Sequence, residues 1–212
     1  MATTVYKGIE GARNRPILQT APRADLQRSD VPAGFSISSI KSGIPGLSKF
    51  ETKCLLLQLA YMESAYDYTK WNGNPAAYLA LRYGRYLTSR YRLYAYGYLD
   101  ETQTTWSGKD GIFDYTEFLT SSELQDLIVK RFFEEAYQKL SYNGGLQVGD
   151  SIDTVAGMLA VAYQLNDFTN YELAAALWRL NGTQVDSQNR PCYLYFNAGR
   201  YAISALAADT TA

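Results

Sequence analysis

Three times along this chain a Ser or Thr stands three residues before a Glu at the head of an apolar-periodic run: Ser48–Glu51, Thr120–Glu123 and Thr169–Glu172. In such a capping box each side chain satisfies the other residue's free backbone N–H, so the pattern marks the start of a helix. After the first box, Phe50, Cys54, Leu57 and Tyr61 recur at helical spacing. The second box opens a long helix over 121–141, with Leu124, Leu127, Ile128 and Leu140 as apolar positions. The third opens a helix with Leu173, Ala176, Leu177 and Leu180 on one face, stopped by Asn181-Gly182. Further helices are expected over 150–165 (Val155, Met158, Leu159, Ala162), from Asn74-Pro75 to just before Gly84, over the Tyr/Arg-rich stretch 85–97, and near 197–207. Only 186–196 reads as a strand. The expected fold class is all-α, with about seven helices.

Residues 1–47 differ in character. They carry Pro16, Pro22, Pro32 and Pro45 and no sustained helical period. Six basic residues (Lys7, Arg13, Arg15, Arg23, Arg28, Lys41) against three acidic ones (Glu10, Asp25, Asp30) give this stretch +3, leaving −4 for the rest of a chain whose net charge is −1. The composition predicts an extended arm over 1–47 that orders on a partner, or else wraps its own domain, followed by a helical domain over 48–212.

Composition excludes several chemistries. The chain has no histidine, which removes Ser-His-Asp triads, Cys-His pairs and the commonest zinc sites. Its two cysteines, Cys54 and Cys192, lie far apart without CxxC spacing, and Cys54 reads as a packed small hydrophobe. No metal or other cofactor is expected. The near-neutral charge implies no general attraction to nucleic acid or an anionic membrane. No apolar run approaches the roughly 20 residues that span a bilayer. The first residues lack the apolar core of a secretory leader.

Carboxylate chemistry remains. Glu63 closes the run Leu57-Gln58-Leu59-Ala60-Tyr61-Met62 at the C-terminal end of the first helix. Burial there disfavours the charged form and raises the pKa, and a proton held to near-neutral pH is what a general acid needs.

The ordered set Glu63-Ser64, Tyr83-Gly84-Arg85-Tyr86-Leu87, Trp106 to Ile112, Glu117-Phe118-Leu119, Gln125, Ala162-Tyr163 and Tyr195 to Tyr201 resembles the lysozyme-like superfamily. The likeness is to goose-type lysozymes and lytic transglycosylases, in particular the version of the domain carried on tails of bacterial viruses, and it covers residues from 48 to 207. The resemblance implies cleavage of the β-1,4 bond of peptidoglycan, with the glycan strand as substrate. It implies a location in a virion tail or baseplate, whose other proteins residues 1–47 would contact. Glu63 would be the acid, and Tyr163 matches the family tyrosine that supports it. Tyr66, Tyr68, Trp71 and Tyr86 complete the implied substrate-binding set. A transglycosylase route needs no second carboxylate, whereas an inverting hydrolase needs a partner about 6.5–9.5 Å away. Asp67, Asp100 and Glu101 are candidates for that partner.

Four positions depart from the family pattern. Leu87 replaces a cleft-lining glutamine, Ala65 and Tyr66 replace glycines, and Gln164 replaces an asparagine. An apolar side chain at 87 removes hydrogen-bonding capacity toward a polar substrate. An active enzyme, a degenerate structural virion protein on the same fold, and a wall-binding module without catalysis all stand as readings. Elsewhere, Trp106 to Lys109 reads as a turn with a packed tryptophan, or as a ligand loop. Asp110-Gly111 with Asp114 and Glu117 lacks the order of a calcium loop. Arg82, Arg85, Arg90 and Arg92 read as intrachain or subunit contacts.

Overall fold

The computed structural model describes residues 37–72, 82–166, 170–186 and 189–207. Among these the chain forms seven α-helices: α1 (Lys49–Ser64), α2 (Arg90–Ala95), α3 (Tyr115–Thr120), α4 (Ser122–Tyr142), α5 (Ile152–Gln164), α6 (Tyr171–Asn181) and α7 (Cys192–Tyr201). A π-helical turn, Ala202–Ala207, extends α7. Three two-residue strands, β1 (Trp71–Asn72), β2 (Arg82–Tyr83) and β3 (Thr88–Ser89), form one small antiparallel sheet. The protein is all-α.

The core is built around α5. Every residue from Val155 to Gln164 is buried, and a helix without a polar face has to be central. Its main neighbour is α7, which approaches closely because both helices place glycine at the crossing. A Cβ on Gly199 would meet the Ala156 carbonyl oxygen at 2.4 Å, and one on Gly157 would meet the Phe196 ring at 2.6 Å. Phe132 and Phe133 of α4 pack on Tyr163 of α5 from the other side.

The first capping box forms as expected. Ser48 N–H donates to Glu51 Oε2 at 2.6 Å and Glu51 N–H donates to Ser48 Oγ at 3.2 Å. Of the expected stripe Cys54 is buried, but the buried set of α1 is wider: Thr52, Cys54, Leu55, Leu56, Gln58, Leu59, Ala60, Glu63 and Ser64. Phe50 is exposed, and Leu57 and Tyr61 are half-buried. Glu63 therefore lies at the end of the core-facing stripe.

Other expectations are corrected. Thr120 does not cap α4: it ends α3, and its hydroxyl donates back to the carbonyls of Thr116 and Glu117, while Ser121 takes the cap position. The expected strand over 186–196 reduces to one isolated bridge, Val185–Pro191, because α7 begins at Cys192. The single helix expected over 85–97 is a tight turn, strand β3 and the short α2. On α6 the buried residues are Tyr171, Ala175, Trp178 and Arg179, so Leu173 and Leu177 face outward. Arg179 turns inward because Asp150 meets it there, with Nη2 to Oδ1 at 2.6 Å. Thr169 and residues 74–81 of the helix expected from Asn74 lie outside the described residues, and at the end expected for that helix Arg82–Tyr83 form strand β2.

Residues 37–47 join the core. Ile37, Ile40, Ile44 and Leu47 are buried in it, and Ser39 Oγ donates to Asp126 Oδ2 of α4 at 2.9 Å. Cys54 and Cys192 are both buried. No helix among the described residues is long and apolar enough to cross a membrane.

Candidate active site

Glu63 reaches its position because α1 ends one residue later. Ala65 caps the helix in the left-handed conformation (φ 54°), and its N–H donates to the carbonyls of Ala60 and Tyr61. Tyr66 follows with φ 72°. A left-handed L-residue costs about 1–2 kcal/mol relative to glycine, and here two stand in succession. Leu87, in the turn between β2 and β3, is a third (φ 48°). None of the three is glycine, the residue that adopts this conformation freely. Backbone strain of this kind concentrates at functional sites.

Glu63 is 6% exposed. Tyr195 of α7 donates its hydroxyl to Oε1. Among the described residues no hydrogen bond engages Oε2. Burial raises the carboxyl pKa above its ordinary 4.5, opposed by the Tyr195 hydrogen bond and by the charges of Arg190 and Arg82, with Asp186 reinforcing the rise. Desolvation dominates, so the proton is held to higher pH than in an exposed glutamate. Lys70 Nζ donates to the Glu63 carbonyl at 3.1 Å and ties the following loop to the helix end.

The surrounding groups come from three elements and one loop. Arg82 comes from β2, Tyr163 from α5 and Tyr195 from α7, while Arg190 and Asp186 precede α7. Arg190 Nε donates to Asp186 Oδ2 at 2.6 Å and its backbone N–H donates to Asp186 Oδ1 at 2.8 Å. Gln164 Nε2 donates to the Arg190 carbonyl at 2.9 Å and so braces this loop. Tyr163 is buried and donates to the Tyr86 carbonyl at 2.5 Å. Its pKa is raised, by burial first and by the Glu63 charge second.

Tyr68 and Tyr86 belong to a neighbouring cluster around a second buried carboxylate, Asp126. Tyr86 donates to Asp126 Oδ1 at 2.8 Å, Tyr68 to both oxygens at 3.2 Å, and Ser39 to Oδ2. Arg85 sits 3.5 Å from Oδ1 and stacks 3.8 Å from the centroid of the Tyr68 ring. Burial raises the Asp126 pKa, opposed chiefly by these hydrogen bonds. Gln125 holds the turn above it, accepting from Arg85 N–H at 2.8 Å and donating to the Phe118 carbonyl at 2.9 Å. The Tyr163–Tyr86 hydrogen bond joins the two clusters.

The sequence-derived set is thus divided. Tyr163 lies beside Glu63. Tyr68 and Tyr86 spend their hydroxyls on Asp126. Tyr66 is buried with its ring 5.7 Å from that of Tyr61. Trp71 is placed by its backbone in β1, and its side chain lies outside the description. Of the suggested partner carboxylates, Asp67 accepts from Thr69 N–H at 2.8 Å. Asp100 organises a loop and is held at about 2 by hydrogen bonds from Thr102 and the following backbone. Glu101 is exposed. The carboxylate whose charge reaches Glu63 is instead Asp186. It went unnoticed in the sequence, as did Tyr195 and Arg190. Tyr195 sits inside the quoted Tyr195–Tyr201 run, and that was the one signal available for it.

Comparison with known proteins finds no matching family model, no matching curated protein and no matching solved structure.

Proposed function

We propose that this protein is a lysozyme-like peptidoglycan glycosidase in which Glu63 is the general acid. The carrying observation is a buried carboxyl with a raised pKa, one oxygen fixed by Tyr195 and the other without a hydrogen bond among the described residues. Such a group holds a proton and can hand it to a glycosidic oxygen as the bond breaks. The left-handed Ala65 and Tyr66, directly after Ser64 at the end of α1, support the reading, since strained backbone concentrates at functional sites. The sequence resemblance supplies the substrate class, the β-1,4-linked strand of peptidoglycan. It also supplies the setting, a phage tail or baseplate in which residues 1–47 contact other virion proteins.

The decisive measurement is clearing of purified peptidoglycan by the wild-type chain and by Glu63→Gln, with the products analysed by mass spectrometry. Clearing by wild type and a loss of at least about 100-fold in the variant is expected, the scale of one general-acid contribution. Anhydro-ended products would assign a transglycosylase, and reducing ends a hydrolase. Undiminished clearing by Glu63→Gln would refute the assignment.

A second reading has its own observation. Leu87, in place of the cleft glutamine, is buried, as are Tyr66 and Tyr86. A degenerate structural virion protein on this fold would clear no wall and bind no glycan.

A further inference from the structure

Tyr195 has one acceptor within reach of its hydroxyl. The residue is 2% exposed, and among the described residues its hydrogen-bond partner is Glu63 Oε1. Burial first, and the Glu63 charge second, push the phenol well above its ordinary 10, with the Arg190 charge opposing. The hydroxyl therefore keeps its proton and donates, whichever form Glu63 takes. An oxygen that accepts from a hydroxyl is the free oxygen of a carboxylate or the carbonyl oxygen of the acid. When Glu63 is protonated, its own proton is left to Oε2.

Two supports set where that hydroxyl stands. The glycine crossing at Gly157 and Gly199 seats α7, and with it Tyr195, closely on α5. Arg190 then places its guanidinium carbon 5.4 Å from the centroid of the Tyr195 ring. Its own loop holds that cation. Nε donates to Asp186 Oδ2 at 2.6 Å and the backbone N–H to Oδ1 at 2.8 Å, while Asp186 N–H returns a bond to the Arg190 carbonyl at 3.0 Å. The turn closes with Asn189 N–H on the Asp186 carbonyl at 3.0 Å. Asn189 is left-handed there (φ 60°), a conformation asparagine adopts more readily than most residues. A cation facing a phenol ring is attracted to it, and its charge makes the hydroxyl a stronger donor and favours the ionised form of Glu63.

The other groups around Glu63 do not touch its carboxyl. Arg82 of β2 and Asp186 act through their charges, the first opposing the rise in pKa and the second adding to it. Tyr163 of α5 gives its hydroxyl to the Tyr86 carbonyl. Lys70 bonds the backbone carbonyl of Glu63 rather than the side chain.

We propose that Tyr195 is a positioning residue for Glu63: steadied by Arg190 and the Asp186 clamp, its hydroxyl occupies Oε1 and leaves Oε2 to carry the proton that is transferred. The use of that proton rests on the glycosidase reading, but its placement is measured without turnover.

The test titrates the full chain labelled with 13C-glutamate and follows the Glu63 carboxyl resonance by NMR, assigned by its disappearance in Glu63→Gln. Tyr195→Phe removes the hydroxyl and keeps the ring. Losing a hydrogen bond to the ionised form favours the neutral one, so the Glu63 midpoint is expected to move to higher pH. Arg190→Gln is expected to move it the same way, and Arg190→Lys, which keeps the charge, to bring it back toward wild type. The Arg190 side chain is 35% exposed, so this replacement removes a charge without opening the core. Part of its effect passes through the hydroxyl, so Arg190→Gln is expected to shift the midpoint less on the Tyr195→Phe background than on wild type. Equal shifts on the two backgrounds overturn the support by Arg190. An unmoved midpoint in a folded Tyr195→Phe overturns the proposal, since a merely structural bond would alter stability and leave the titration alone. If Tyr195→Phe does not fold, Arg190→Gln decides, and an unmoved midpoint there overturns it equally. In a chain that clears peptidoglycan, the alkaline limb of kcat/KM is expected to move up with the midpoint, because that limb reports the acid in the free enzyme. The two readings fail separately. Midpoints that shift as expected without clearing of the wall by wild type sink the glycosidase and keep the positioning. Clearing lost in Glu63→Gln with an unmoved midpoint in Tyr195→Phe does the reverse.

Discussion

Glu63 carries the argument at the residue scale, and its burial makes it measurable apart from any activity. The unfolded chain releases this proton near the ordinary 4.5, and the folded chain releases it at higher pH. Between those two values the native state binds more protons than the unfolded state, so stability falls as pH rises. The stabilisation that the protonated side chain confers is fully present below 4.5 and is lost as pH passes through the folded value. Glu63→Gln keeps the shape and does not titrate. Asp126 shifts in the same direction, but it is common to both proteins and cancels in the comparison. Urea midpoints taken from pH 4 to pH 8 are therefore expected to show wild type losing ground steadily to the glutamine variant. A difference that stays flat over that range would mean that Glu63 is not held protonated by the fold. That an acid lay at the end of an apolar helix was legible in the sequence. That it lay on the core face was legible too, in the stripe Thr52, Leu55, Leu56, Leu59, Ala60 and Glu63, but the competing stripe through Phe50 and Cys54 has equal spacing. Tyr195 was not legible as its partner, because a hydrogen bond across 132 residues leaves no local pattern.

At the scale of elements, local chemistry was readable where it decides and misleading where a neighbour decides. The Ser48 box forms because nothing competes for its groups. The Thr120 box fails because α3 ends on that residue and takes its hydroxyl. Cys192 to Phe196 alternates in a way that suits a strand, yet Gly199 lets this segment lie against α5 as a helix. Leu173 and Leu177 yield the inner face of α6 to Arg179, since a buried arginine with a bidentate carboxylate partner fixes the rotation of the helix. The C-terminus of α1 gives the sharpest test at this scale. Ala65 is exposed and left-handed, so glycine there would remove backbone strain without removing packing. The strain relieved, about 1–2 kcal/mol, exceeds the added chain entropy of glycine, about 0.5–1 kcal/mol. Ala65→Gly is expected to raise stability by about 0.5–1 kcal/mol, read as a higher denaturant midpoint at constant slope. A drop in midpoint would show that the left-handed cap is not strained.

For the whole molecule, the question is where the folded unit begins. Composition put the break at residue 47, because prolines and basic residues dominate before it and helical periods begin after it. Packing draws the line earlier. Ile37, Ile40, Ile44 and Leu47 are all in the core, Ile44 N–H donates to Thr52 Oγ1 at 3.0 Å, and Ser39 serves the Asp126 cluster. Irregular backbone can bury apolar side chains without any period, so composition is blind to it. Complete burial of an Ile or Leu is worth about 1.5–3 kcal/mol. Four of them amount to a large part of the roughly 5–15 kcal/mol by which a domain is stable. Two truncations separate the alternatives. Removing residues 1–36 keeps all four anchors, and the cooperative thermal transition of that truncation serves as the reference. Removing residues 1–47 takes all four, together with the Ser39 and Ile44 hydrogen bonds, and is expected to abolish that transition or lower its midpoint by well over 10 °C, since about 1 kcal/mol moves a domain of this size by about 2–4 °C. Equal melting of the two truncations would place the start of the folded unit at residue 48 after all and would make the packing of residues 37–47 incidental. If the shorter truncation folds and also clears peptidoglycan, the acid needs nothing from residues 1–36, and any role of that stretch lies in what the protein is attached to.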